Sequence, residues 1–139
     1  MIGLSALIVS IAILMYVVSK TQSNTSSEDN IIGEPIRIGR LEIAEFDFPK
    51  HMYWGDAVDA CRALESGWRL PTWYELNFLY KNKDKIGNFA PEGYWSSSIV
   101  NNVISEELQE AWVHDFADGD QYLRDRNEKI KLVRAVRSF

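Results

Sequence analysis

A chain of 139 residues, 46% of them apolar and with five Trp, six Tyr and six Phe, can bury one core of ordinary domain size and still carry an appendage. That composition excludes disorder of the whole, and a formal net charge of −5 with scattered Lys and Arg excludes the basic surface on which nucleic-acid recognition starts. The single cysteine, Cys61, excludes an intrachain disulfide and a cysteine-rich zinc site.

Ile2 to Ser19 carries no charged side chain. Helical rise of ~1.5 Å per residue takes it across about 27 Å, close to the ~30 Å hydrocarbon layer of a bilayer. Residues 1–20 therefore read as a transmembrane anchor or a signal peptide. The missing Lys or Arg at the start and the poor cleavage site at Val17-Val18-Ser19 favour an anchor that is retained. Lys20 alone sets orientation only weakly. Residues 21–35 read as a flexible tether, being polar and rich in Ser, Thr and Asn as far as Asn30.

From Ile36 to Phe48 the apolar residues alternate, which predicts strands, with turns or bulges near Gly39 and Ala44. Trp54, Ala57, Val58, Cys61 and Leu64 then recur at helical spacing, with Asp56, Asp59, Arg62 and Glu65 largely opposite. Cys61, inside that helix, reads as a buried, inert thiol. Ser66-Gly67 predicts the helix end, because glycine enters the left-handed region without a Cβ clash. Thr72 and Glu75 form the capping-box pattern at the start of a second helix, predicted over residues 73–83 with Trp73, Leu76, Leu79 and Tyr80 on one face. Between the two helix ends, Trp68 and Leu70 are natural core plugs.

Strands follow. Tyr94 to Ser98 is one short candidate; Ala111–Phe116 and Gln121–Arg126 flank Ala117-Asp118-Gly119-Asp120, which reads as a hairpin with Asp-Gly in the turn. Ile130 to Val136 is apolar apart from Lys131 and Arg134, as expected of a central strand covered on both faces. Strands, two helices and strands again make an α+β domain, with the helices segregated from an antiparallel sheet.

Chemistry-bearing residues are few. Asp115, Asp118 and Asp120 share one hairpin with Glu128 further along, and hard cations such as calcium favour clustered carboxylate oxygens; the spacing is not that of an EF-hand, and Asp-Gly is ordinary turn chemistry. The reading is no metal. His51 and His114 have no second ligand at metal spacing. Ser96, Ser97 and Ser98 lack the elbow that presents a nucleophile. The aromatic set Tyr53, Trp54, Trp68, Trp73, Tyr94, Trp95 and Trp112 is mostly core, with one or two rings left for stacking.

Several of these stretches combine. Met52-x-Trp54-x-x-Ala57, Gly67-Trp68-Arg69-Leu70-Pro71-Thr72-x-x-Glu75-Leu76, Tyr94-Trp95-Ser96-Ser97, Ala111-Trp112-x-x-x-Phe116-x-x-Gly119 and Val133-Arg134-x-Val136-Arg137 together resemble the bacterial DUF1566 family, also called Lcl C-terminal domains, over residues 36–139. The resemblance implies a C-type lectin-like fold, distantly similar to formylglycine-generating enzymes: two helices on a curved antiparallel sheet, displayed outside the cytoplasm. The calcium-and-sugar motifs of the lectins and the paired cysteines of the enzymes are missing, so neither activity carries over. The expected function is a membrane-anchored extracytoplasmic recognition or adhesion module, in the periplasm or at the cell surface. It is held through Ile2 to Ser19, is not an enzyme, and binds a protein or glycan. The alternative is a structural subunit of an envelope or virion assembly.

Overall fold

The computed structural model describes residues 29–101 and 109–139. The chain divides after Asn30, and Ile31–Phe139 form one compact unit. The expected anchor, Ile2 to Ser19, and most of the tether lie outside the described residues, among which no helix is long and apolar enough to cross a membrane.

In chain order the elements are α1 (Asp29–Ile32), β1 (Ile36–Ile38), β2 (Leu41–Ile43), α2 (Trp54–Ala63), α3 (Trp73–Lys81), α4 (Lys83–Ile86), β3 (Gly93–Asn101), β4 (Gln109–Asp115), β5 (Gln121–Asp125) and β6 (Val136–Ser138). The α+β class holds. The single curved sheet does not: the strands form two three-stranded antiparallel sheets, in the orders β1-β2-β6 and β3-β4-β5.

The reason lies in Ile130 to Val136, expected to be one central strand. Leu132 to Val136 are all buried, as a continuous apolar run requires. Their backbone partners, however, change from residue to residue. Lys131 exchanges bonds with Met52, Leu132 donates to Gly93 and accepts from Trp95, Val133 accepts from Phe48, Ala135 accepts from Ala44, and Val136 exchanges with Arg69. The segment thus joins the two sheets, and only Val136–Ser138 belongs to a ladder. Backbone polar groups this deep need partners, and here the chain at Ala44, Phe48, Met52, Arg69 and Gly93–Trp95 supplies them in turn.

β4 shows how the core is divided. Ala111 and Val113 face a cluster that holds Ala57, Cys61, Leu64, Trp68, Leu70 and Trp95, under α2. Phe116 joins the other cluster, with Leu41, Ile43, Leu76, Leu79 and Tyr94, under α3. The strand and the first residue of the turn that follows it therefore feed the two cores. Within the first cluster, burial pushes the Cys61 thiol up to about 12, which keeps it protonated and unreactive.

The corner between the helices is built as the sequence predicts at one end and differently at the other. Thr72 caps α3, its hydroxyl accepting from the Glu75 amide at 3.2 Å while the Glu75 carboxylate accepts from the Thr72 amide at 2.8 Å. Gly67 has a positive φ of 85°, but α2 already ends at Ala63, and the reversal spreads over Glu65 (φ 61°) and Ser66 (φ 50°) as well. α3 stops at Lys81 instead of residue 83, where the Asn82 amide group folds back to donate to the Phe78 carbonyl, and α4 restarts at Lys83. Ile31 is buried in the first cluster, and the Ile31 and Ile32 carbonyls accept from Phe46 and Glu45, so the packed unit takes in residues 31–35 that the tether was expected to include.

Candidate functional site

β3 carries the irregularity that positions both helices. Its pairing with β4 shifts between Trp95 and Ile99, where three residues of β3 oppose one of β4, releasing Ser96 to Ser98 from the ladder. The freed groups hold the starts of α2 and α3. The Trp54 indole donates to the Ser96 carbonyl at 2.8 Å, Ser97 donates to the Pro71 carbonyl at 2.7 Å, and the Ser98 hydroxyl accepts from the Trp73 amide at 2.9 Å. The three serines are structural clamps.

With α3 so fixed, Arg69 completes its start. The guanidinium grips Glu75 with two bonds, 2.7 and 3.0 Å, and also donates to the Ser138 hydroxyl at 3.0 Å. Burial pushes the Glu75 carboxyl up, but the Arg69 and Thr72 hydrogen bonds and the Arg69 charge outweigh it, so the carboxyl stays below its ordinary value.

Two faces of α3 then differ. Leu76 and Leu79 are fully buried. Tyr74 and Phe78, four residues apart on another face, are not; Tyr74 is 76% exposed, the largest exposure of any large apolar residue described. Tyr74 stands edge-on to Trp73, ring centroids 4.7 Å apart, and Trp73 leans on Trp112 at 5.7 Å. On its other side Tyr74 lines a shallow groove of about 370 Å³ between α3 and the β1–β2 turn, walled by Ile38, Leu41 and Phe78, with Arg40 and Glu75 at its polar edges and Ser138 at one end. An aromatic ledge and an apolar groove thus meet at one tyrosine. This surface is the candidate site. Of its residues the aromatic set expected from the sequence contains Trp73 and Trp112 but misses Tyr74, Phe78 and Arg40. The signal for the first two is their i, i+4 spacing off the core face.

The other candidates fall elsewhere. Tyr94 and Trp95 are wholly buried, Trp68 nearly so, while Tyr53 is exposed at the start of α2. The turn between β4 and β5 is longer than the Asp-Gly hairpin expected: it runs from Asp115 to Asp120, closed by Asp115 and Gly119 amides donating to the Asp120 and Asp115 carbonyls, both at 2.8 Å. Asp115 and Asp118 carboxylates accept from the amides of Ala117 and Asp120, at 2.8 and 2.9 Å. Two of the three candidate calcium ligands are therefore engaged in shaping their own loop. Gly119, at φ 86°, lies against Tyr80 so closely that a Cβ would stand 2.7 Å from its ring. Among the described residues no group of three or more His, Cys, Asp or Glu could hold a metal ion. His51 bonds the Glu92 carboxylate at 3.1 Å on the surface.

His114, on β4, is 1% exposed, and among the described residues neither ring nitrogen has a hydrogen-bond partner. Tyr80 and Phe116 enclose it at 5.0 and 5.4 Å. Burial holds its pKa below the ordinary 6.5, against a weaker upward pull from Asp115 and Asp118. As pH falls below 6.5 the unfolded chain takes up a proton that the folded chain refuses, so stability declines from there down to the folded value and is unaffected above. His114→Phe is expected to flatten this part of the profile of thermal midpoint against pH. Parallel profiles for parent and variant would show that the ring does not titrate differently on folding.

No curated protein matches the sequence. Among solved structures the chain is similar to botrocetin, at a TM-score of 0.57 and 11% identity, over 77% of this chain and 98% of that one. It is also similar to a chain in the complex of botrocetin with a mutant von Willebrand factor A1 domain, at a TM-score of 0.54, 11% identity and the same coverage. At that identity the likeness is one of fold, and the fold is C-type lectin-like. The Lcl C-terminal domain model matches residues 19–137, most of the chain and all of the motifs that surround the corner and the bulge, and the chain belongs to the Lcl C-terminal domain family.

Proposed function

We propose that the domain is a non-catalytic recognition module, anchored in a membrane by Ile2 to Ser19 and displayed outside the cytoplasm, and that it binds a protein partner through the surface centred on Tyr74. The observation that carries this reading is the exposure of Tyr74 where the ledge and the groove meet. Tyrosine and tryptophan supply contact area at little conformational cost and dominate binding energy at interfaces. A protein partner is in keeping with the lectin-like neighbour crystallised in complex with a protein domain.

What supports a non-catalytic role is how several reactive side chains are occupied. The Ser98 hydroxyl holds the start of α3, the Ser96 hydroxyl accepts from the Ser98 amide, Cys61 is buried and protonated, and His114 is sealed among rings. The test is a photo-crosslinking amino acid placed at residue 74 of the full chain in cells, with exposed Asp59 on α2 as the control position. A discrete protein adduct at 74 and none at 59 is expected. Equal labelling at both, or none at either, would overturn the site. Protection of the domain from protease added to cells with a permeabilised outer membrane would overturn the location.

A further inference from the structure

The geometry points to an acidic peptide segment as the occupant of the α3 groove: an apolar side chain set between Ile38, Leu41, Tyr74 and Phe78, and a neighbouring carboxylate against Arg40. This rests on the Tyr74-centred reading above and gives it a partner chemistry. The volume, about 370 Å³ and open, is at the small end of the ~300–1,000 Å³ of ligand pockets and suits one or two side chains of a larger partner.

Charge selects the chemistry. Glu75 at the groove edge is already gripped by Arg69. Arg40 is exposed, and among the described residues no carboxylate comes within ion-pairing distance of it. The sheet next to it carries its own charges on the face that alternates away from Ile38 and Leu41. Arg37, Glu42 and Arg137 stand in register across β1, β2 and β6, with Glu42 nearly buried between the two guanidiniums at 3.9 and 2.9 Å. At the groove itself Glu75 is balanced by Arg69, and Arg40 is the guanidinium left without a carboxylate among the described residues, in a chain whose net charge is −5. An unpaired positive charge at the edge of an apolar groove favours a partner segment of negative sign.

The experiment selects peptides from a random phage-displayed library on the immobilised full chain, then measures synthetic versions of the enriched sequences by fluorescence polarisation against the parent, Tyr74→Ala and Arg40→Glu. Both substituted residues are exposed, and an unchanged thermal midpoint confirms that each variant folds. Acidic sequences with an adjacent large apolar residue are expected, lost in Tyr74→Ala, weakened by about tenfold or more in Arg40→Glu, and weakened by added salt. Peptides that need Tyr74 but carry no acidic residue and ignore Arg40→Glu would overturn the acidic partner and leave the recognition surface standing. No Tyr74-dependent peptide at all would overturn both. Self-association of the full chain that Tyr74→Ala abolishes would give the groove to a second copy and also overturn the acidic partner.

Discussion

Arg134→Met is expected to cost about 3–5 kcal/mol, the usual penalty for leaving one partner of a buried ion pair uncompensated. Arg134 is wholly buried. Its guanidinium donates to the Asp47 carboxylate at 2.7 Å, to the Asn88 carbonyl at 2.7 Å, and to the carbonyls of Ala44 and Gly87 at 3.2 and 3.4 Å, with the Phe89 ring 4.1 Å below. Tyr94 donates to the other Asp47 oxygen at 2.6 Å while its own oxygen accepts from the Ala90 amide. Burial pushes Asp47 up, and Arg134 and Tyr94 pull it back. Methionine would fill much of the volume and strand the carboxylate together with three carbonyls. Urea unfolding of the full chain reads the loss. A double-mutant cycle with Asp47→Leu should recover part of it, because the second change removes the charge that the first leaves unpaired. A loss under about 1 kcal/mol would mean that water reaches the network and that Arg134 behaves as a surface residue.

That network marks the limit of what could be read from the chain. Thr72 and Glu75 were legible because a capping box is closed within four residues. The α2 face, the hairpin and the burial of Trp68 and Leu70 were legible for the same reason: local periodicity and turn chemistry decide them. Arg134 appeared only as a polar interruption of an apolar run, since its carboxylate partner lies 87 residues earlier. Pairings so distant leave no local trace, and they are what divide one expected sheet into two. Ser96 to Ser98 were read correctly as strand serines, but nothing in a three-serine run tells that it is released by a register shift to hold two helix starts. At the candidate site the aromatic ledge was half visible. Core and surface rings look alike in composition, and only the second stripe, Tyr74 and Phe78, distinguishes the surface set.

Trp68→Ala is the second large effect expected, at about 3–5 kcal/mol from lost burial plus the cavity left behind. Trp68 is 3% exposed and packs in the cluster of Ala57, Cys61, Leu64 and Leu70, with the Arg137 guanidinium 4.8 Å from its ring centroid. Its position is held from both sides: the Trp68 amide donates to the Glu65 carbonyl at 3.0 Å, and next to it Arg69 exchanges backbone bonds with Val136 at 2.9 Å. The site is thus poorly placed to collapse around an alanine, because three left-handed residues on one side and a bridge to β6 on the other fix the backbone. Thr72→Ala, four residues on, supplies the internal standard. It removes the hydroxyl that accepts from Glu75 but leaves Arg69 gripping the Glu75 carboxylate, so about 0.5–2 kcal/mol is expected. The two variants should therefore rank clearly in urea, with Trp68→Ala losing a large part of the ~5–15 kcal/mol typical of a domain. An unchanged midpoint and slope for Trp68→Ala would mean that the ring does not plug the core, and that the corner between α2 and α3 is held by its caps alone.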